Sequence, residues 1–160
     1  MKVEIKRAVE SEAKMLALLG QVTFREAFGK CFLKQDLQDY FAESFSVEKI
    51  SKELRGKNNI FWLALAEELP VGYAKFKKPS ELEKLYILQE FEGNRIGEML
   101  QNEVIAEVKK TGIQELFLTV RTDNAKAIWF YEKHGFVRAA NRIYTVGREK
   151  VECLIMVKKL

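Results

Sequence analysis

From Ile60 the chain is apolar at every position through Ala66, and the run Ile60-Phe61-Trp62-Leu63-Ala64-Leu65-Ala66 predicts a strand buried on both faces. Glu67-Glu68-Leu69-Pro70 then turns the chain into Val71 to Lys77, which makes the two segments a hairpin. Ahead of them the period is longer. Val3 to Arg7 reads as a short strand, and Met15, Leu18, Leu19 and Val22 recur at helical spacing, predicting a helix that ends near Gly29 with those four side chains inward. Two shorter helices follow, Gln35 to Glu43 and Val47 to Arg55, the second with Ser46 as N-cap and Gly56 as its stop. Beyond the hairpin, Leu82 to Leu88 reads as a strand. Ile96, Leu100, Val104 and Val108 then mark one face of a long helix that ends at Gly112. Leu116 to Arg121 is a further strand and Asn124 to His134 a helix. Two strands close the pattern, the last alternating Val151, Cys153, Ile155 and Val157 against Glu152 and Lys158.

The resulting order, β-α-α-α-β-β-β-α-β-α-β-β, predicts an α/β (mixed α+β) architecture. Strands separated by helices need parallel crossovers and hairpins need antiparallel pairs, so a mixed sheet with helices on both faces follows. No fixed-period repeat or linker-like stretch divides the 160 residues, and a single domain over 1–160 is expected. No stretch reaches the roughly 18 apolar residues of a spanning helix, and the start, Met1-Lys2-Val3-Glu4, lacks the apolar run of a signal peptide. A cytoplasmic protein without a membrane partner is the expectation. Cys31 and Cys153 lack metal-type spacing and sit among apolar residues, so both are expected as small buried hydrophobes, with no metal site. The net charge of +4 is scattered and accompanies no aromatic-basic motif of nucleic-acid readers. Nucleic acid is therefore not an expected partner.

Two segments carry candidate chemistry. Glu92-Gly93-Asn94-Arg95-Ile96-Gly97 joins a strand to a helix, and such a turn aims free backbone N–H groups and the positive end of the helix dipole at one point, which suits a pyrophosphate. A purely structural turn also uses glycine. Asn124 to Phe136 places Ala127, Phe130, Tyr131 and His134 on one helical face, between Asn124 as N-cap and Gly135 as C-cap. A core helix explains that pattern except for the Tyr131 hydroxyl, whose burial without a partner costs about 1–3 kcal/mol.

Together these segments resemble the GCN5-related N-acetyltransferase (GNAT) superfamily. Its cofactor motif, Q/R-x-x-G-x-G/A, corresponds to Glu92 through Gly97, and its later motif, N-x-x-A-x-x-F-Y-x-x-x-G-F, is matched by Asn124, Ala127, Phe130, Tyr131, Gly135 and Phe136. The wider frame is similar to the bacterial polyamine-type (PaiA-like) branch, at Thr23 to Gly29, Gly72 to Lys75, Glu81 to Ile87 and Leu154 to Val157. The resemblance implies a twisted, mixed, mostly antiparallel seven-stranded sheet with helices on both faces. It also implies transfer of an acetyl group from acetyl-CoA directly to a primary amine, a polyamine or other small amine, by a monomer or homodimer. Glu92 and Arg95 depart from the motif, standing where the family prefers Gln or Arg and Gly. The expectation is that Arg95 keeps ordinary helical geometry and that its guanidinium partly offsets Glu92. A degenerate, non-catalytic member that binds a ligand or partner is the alternative.

Transfer to an amine needs a base, because an alkylammonium with a pKa of about 10.4 has no free lone pair near neutrality. By resemblance that base is Glu81, with Glu83 as the fallback on the same strand face. The carbonyl oxygen needs a fixed donor, a backbone N–H at Ile87 or Leu88. The departing thiolate needs a proton, which Tyr131 would supply. Gly93, Asn94, Arg95, Ile96 and Gly97 would face the pyrophosphate, while Asn124, with Ala127 and Phe130, would meet the pantetheine arm. His134, at a helix end, is assigned no role. The acids Glu26, Asp36, Asp39 and Glu43 are the features that would favour a polyamine.

Overall fold

The computed structural model describes residues 1–160. The elements follow the predicted order: β1 (Val3–Arg7), α1 (Ala13–Phe28), α2 (Lys34–Ser44), α3 (Val47–Arg55), β2 (Asn59–Ala66), β3 (Leu69–Lys77), β4 (Glu81–Ile87), α4 (Ile96–Lys110), β5 (Glu115–Arg121), α5 (Ala125–Lys133), β6 (Val137–Val146) and β7 (Glu149–Lys159). The strands form one seven-stranded sheet in the order β1-β2-β3-β4-β5-β7-β6. Every neighbouring pair is antiparallel except β4 with β5.

Helices cover both faces. On one side the expected stripe of α4, Ile96, Leu100, Val104 and Val108, is buried against Leu116 and Leu118 of β5 and Trp62, Ala64 and Phe76 of β2 and β3. Burial of each such large side chain contributes about 1.5–3 kcal/mol. On the other side Phe61, Leu63 and Tyr73 pack under α1 and α3. The apolar run of β2 is thus shared between two cores, as its unbroken hydrophobicity predicts. An aromatic cluster of Phe24, Phe41 and Phe45 joins α2 to α1, with the Tyr40 ring 4.7 Å from that of Phe24. Ser46 caps α3 by accepting the Lys49 N–H at 3.2 Å.

Two expectations are corrected. The buried face of α1 is Leu16, Ala17, Leu19, Gly20, Thr23 and Phe24, whereas Met15 and Leu18 are exposed. The inward stripe contains alanine, glycine and threonine, which an apolar count overlooks. Gly20 is required there because a Cβ would lie 2.3 Å from the Phe45 ring. Cys153 is buried as expected, but Cys31 is exposed, in the short turn after α1.

The feature that positions the site is the junction of β4 and β5. Although each strand has seven residues, only Glu81 and Phe117 pair in register, fastened by the Phe117 N–H donating to the Ser80 carbonyl at 2.9 Å. Beyond that pair the parallel strands part. On its other edge β4 pairs with β3 through Gly72 and Ile87, with a bulge that makes Glu83 the extra residue between the Phe76–Leu82 and Lys75–Lys84 pairs.

Candidate active site

At the open end of this gap, β4 passes into α4 through a short turn. Most of its first N–H groups are committed: Leu88 donates to the Val71 carbonyl at 2.9 Å, Gln89 to the Glu26 carboxylate at 3.0 Å, Phe91 to Leu88 at 2.9 Å and Glu92 to Gln89 at 3.2 Å. The next six, from Gly93 through Glu98, donate to no protein acceptor, and the ladder resumes with Met99 donating to Arg95 at 3.1 Å. Gly93 at φ 80° and Arg95 at φ 62° curl this segment, and left-handed residues in such a turn gather successive N–H groups into an anion-binding concavity. The α4 dipole adds positive potential at the same place. The Asn94 amide holds the curl by donating to the carbonyls of Phe91, at 3.0 Å, and Glu92, at 3.3 Å.

The two glycines serve different needs. A Cβ on Gly93 would meet nothing within 4 Å, so that glycine supplies backbone freedom and the corner is open. A Cβ on Gly97 would lie 3.2 Å from both Ile87 and Phe130. Gly97 therefore lets α4 seat against the end of β4 and the face of α5.

The expectation for Arg95 is overturned. It caps α4 in the left-handed region, a conformation that costs a residue with a Cβ about 1–2 kcal/mol. Its side chain is 79% exposed and pairs with Glu98 at 3.2 Å, so it neither closes the corner nor offsets Glu92. Glu92 instead forms an ion pair with Lys126 in the first turn of α5. The family-atypical acid is thereby neutralised from the neighbouring helix.

On α5, the Asn124 side-chain oxygen accepts the Ala127 N–H at 3.2 Å, which leaves the Asn124 amide NH₂ free and commits the Ala127 N–H. The Phe130 ring lies 5.4 Å from that of Tyr131, which is only 9% exposed and makes no hydrogen bond. Burial pushes its hydroxyl well above the usual phenol range. Tyr86, on β4, is raised in the same way by burial, and the hydroxyls of Tyr40 and Tyr131 and the Glu83 carboxylate lie close enough to add to its shift. The His134 Nδ1 bonds the Phe130 carbonyl at 2.7 Å, the helix-end role expected of it.

The donor pair Ile87 and Leu88 separates. The Leu88 N–H is taken by Val71, so its assignment as a free donor is corrected. In an antiparallel ladder alternate residues turn their N–H to opposite sides, which directs Ile87 away from β3 and toward the gap. The two glutamates separate as well. Glu83 forms an ion pair with Lys75, which also binds Glu53; burial raises the Glu83 pKa, but the Lys75 hydrogen bond and charge outweigh it and leave the carboxyl lowered. Glu81 has no such partner. Burial, with Glu83 beside it, raises its pKa against the pull of Lys77, Lys75 and Lys84. Of the two, Glu81 is the better proton acceptor.

The acceptor-side acids do not gather into a cation pocket. Glu26 holds the Gln89 N–H, Asp39 accepts from Gln35 at 2.9 Å, and Asp36 is buried beneath Gly147 and Arg148 at the β6–β7 turn. The sequence does not single out Lys75, Glu53, Tyr86 or Lys126, and it offers Glu26 only as an acid that would favour a polyamine, not as the acceptor of the Gln89 N–H. A lysine within the apolar Gly72-Tyr73-Ala74-Lys75 stretch does signal a buried partner, but nothing local identifies Glu53 or the Glu26–Gln89 contact.

The acetyltransferase (GNAT) family model matches residues 22–136. The chain belongs to this family. As a GNAT member it is an acyl-CoA-dependent acetyltransferase. Spermidine N(1)-acetyltransferase of Thermoplasma acidophilum is 27% identical over 143 residues, 85% of this chain and 89% of that protein. An uncharacterised N-acetyltransferase of Mycobacterium tuberculosis is 25% identical over 94% of this chain and 99% of its own length. Among solved structures, the PaiA N-acetyltransferase of T. acidophilum in complex with coenzyme A has a TM-score of 0.84 at 24% identity, over all of both chains. A GCN5-related N-acetyltransferase of Rhodopseudomonas palustris reaches 0.85 at 18% identity, over 100% of this chain and 97% of that one. These likenesses show that the open sheet with its parted central strands is the GNAT fold. No helix of the GNAT chain is long and apolar enough to cross a membrane.

Proposed function

We propose that this GNAT member transfers the acetyl group of acetyl-CoA directly to the primary amine of a small acceptor, with polyamines the first class to test. The observation that carries the reading is the run of six unpartnered N–H groups from Gly93 to Glu98 at the start of α4. Buried or clustered backbone donors seldom stay unpaired, and six together fit the oxygens of a diphosphate. The Asn124 amide and the Ile87 N–H border the gap that leads away from that corner, where a pantetheine arm would lie as an added strand.

Acetyl-CoA supplies an activated thioester; the residues supply the proton transfers. Glu81, its pKa raised, is the final acceptor of the ammonium proton, which would reach it along a chain of waters in the gap, because six residues of β4, about 20 Å, separate it from Ile87. Ile87 donates its N–H to the carbonyl oxygen as charge develops there. Tyr131, held protonated by burial, donates to the leaving sulfur. Support for a polyamine comes from the likeness to spermidine N(1)-acetyltransferase rather than from Glu26, Asp36 and Asp39, which are engaged elsewhere.

Calorimetry with acetyl-CoA followed by an amine panel with a free-thiol readout tests the reading. Micromolar binding and amine-dependent thiol release are expected. Binding no tighter than millimolar would favour a non-catalytic, partner-binding member instead.

A further inference from the structure

Lys84 is a cation that the acceptor side of the sheet leaves without a counter-ion. It follows the extra residue Glu83 in β4 and lies opposite Lys75 in the β3 register. Lys75 binds both Glu53 and Glu83, whereas Lys84 makes no ion pair and no hydrogen bond. Its Nζ rests 4.3 Å from the centre of the Phe45 ring and 5.8 Å from that of Tyr86, on the wall of a small cavity shared with Ser44, Glu53 and Tyr73. An aromatic face holds a cation by only about 0.5–2 kcal/mol, so no strong partner fixes the ammonium in place.

Its place in β4 decides where it can swing. Lys84 lies beyond the Glu81–Phe117 pair, alongside the gap, and shares a strand face with Tyr86. Alternate residues of a strand are about 7 Å apart, a span that a lysine side chain covers. Tyr86 in turn neighbours Tyr131, the group placed at the departing sulfur. Burial pulls the Lys84 pKa down to about 8, with Lys75 and Lys49 assisting against Glu83 and Glu53. About a tenth of the amine therefore carries a free lone pair at pH 7, far more than for an ordinary lysine.

We propose that Lys84 is a self-acetylation site, taking the acetyl group from acetyl-CoA bound to the same chain when no acceptor amine is present. The inference rests on the acetyl-CoA reading above. A bond forms between Lys84 Nζ and the acetyl carbonyl carbon, the carbon–sulfur bond breaks, and the proton shed by nitrogen ends on the coenzyme A thiol. The product is an uncharged amide against Phe45, and the cavity loses its unpaired cation.

The test is incubation of the purified protein with acetyl-CoA and no amine, followed by intact mass and peptide mapping. One acetyl group on Lys84 is expected, with a first-order rate constant that does not change over an about hundredfold range of protein concentration. Lys84→Arg should lose the adduct while binding acetyl-CoA with unchanged affinity by calorimetry, and Tyr131→Phe should slow its formation about tenfold or more. A protein that binds acetyl-CoA and acetylates panel amines yet stays unmodified at Lys84 overturns the proposal and leaves the functional reading intact. Modification at the same rate in Tyr131→Phe, or in urea-unfolded protein, marks uncatalysed chemistry and overturns it too. Failure to bind acetyl-CoA removes both readings.

Discussion

Tyr131 and Arg95 show how single residues carry this site. The Tyr131 side chain is largely buried and its hydroxyl makes no hydrogen bond, and its raised pKa keeps the proton in place across any ordinary assay range. Tyr131→Phe should lower turnover by about a hundredfold, the low end for loss of a general acid, with acetyl-CoA affinity nearly unchanged by calorimetry. Equal turnover would remove it from the proton path. Glu81→Gln should lower kcat/KM and remove the acid limb of the pH–rate profile, a limb expected above the ordinary glutamate range because the Glu81 pKa is raised. At Arg95 the backbone matters more than the side chain. Arg95→Gly relieves the left-handed strain of about 1–2 kcal/mol but adds about 0.5–1 kcal/mol of chain entropy in the unfolded state. Stability by denaturant titration should therefore change little, and acetyl-CoA binding should persist.

At the scale of elements, ion pairs fasten pieces that the sequence pattern leaves separate. Lys75 of β3 binds Glu53 of α3 and Glu83 of β4, and its side chain is only 5% exposed. Removing one member of a buried network leaves uncompensated charge, so Lys75→Met should destabilise by about 3–5 kcal/mol at pH 7. The loss should shrink as pH falls, because the Glu83 carboxyl, held below its ordinary range by Lys75, takes up a proton more readily once the lysine is gone; urea titrations at pH 7 and pH 4 check this. The same network explains what could be read in advance. The strands and the α4 stripe follow from periodicity, and the open turn before α4 from its glycines. The α1 face does not, because alanine, glycine and threonine face inward where the helix runs close to Phe45 and Tyr73. Nor do the Glu92–Lys126 and Glu53–Lys75–Glu83 contacts, which join residues far apart in the chain. Only the folded geometry shows that Glu83 is engaged, that Leu88 is bonded and that Glu81 is left available.

Across the whole molecule, buried phenols set the alkaline limit of stability. Tyr73, Tyr86 and Tyr131 are all raised by burial. Their protonated forms are favoured in the folded state, so stability holds below the unfolded tyrosine pKa of about 10 and falls as pH rises above it. Denaturant midpoints measured from pH 8 to 11 should drop steeply past that point. The Tyr73 hydroxyl is fully buried with no hydrogen-bond partner. Tyr73→Phe should therefore be neutral or stabilising at pH 7 and should soften the alkaline drop.

The lone Glu81–Phe117 contact has a mechanical consequence. It divides the molecule into two blocks, strands one to four and strands five to seven, joined at one edge like the covers of a book. Deuterium uptake should be fast along the inner edge of each cover near the opening and slow at the spine. A thiol cofactor laid between the pages should protect those amides and raise the melting temperature together, because it would supply the backbone contacts that the two blocks do not make with each other.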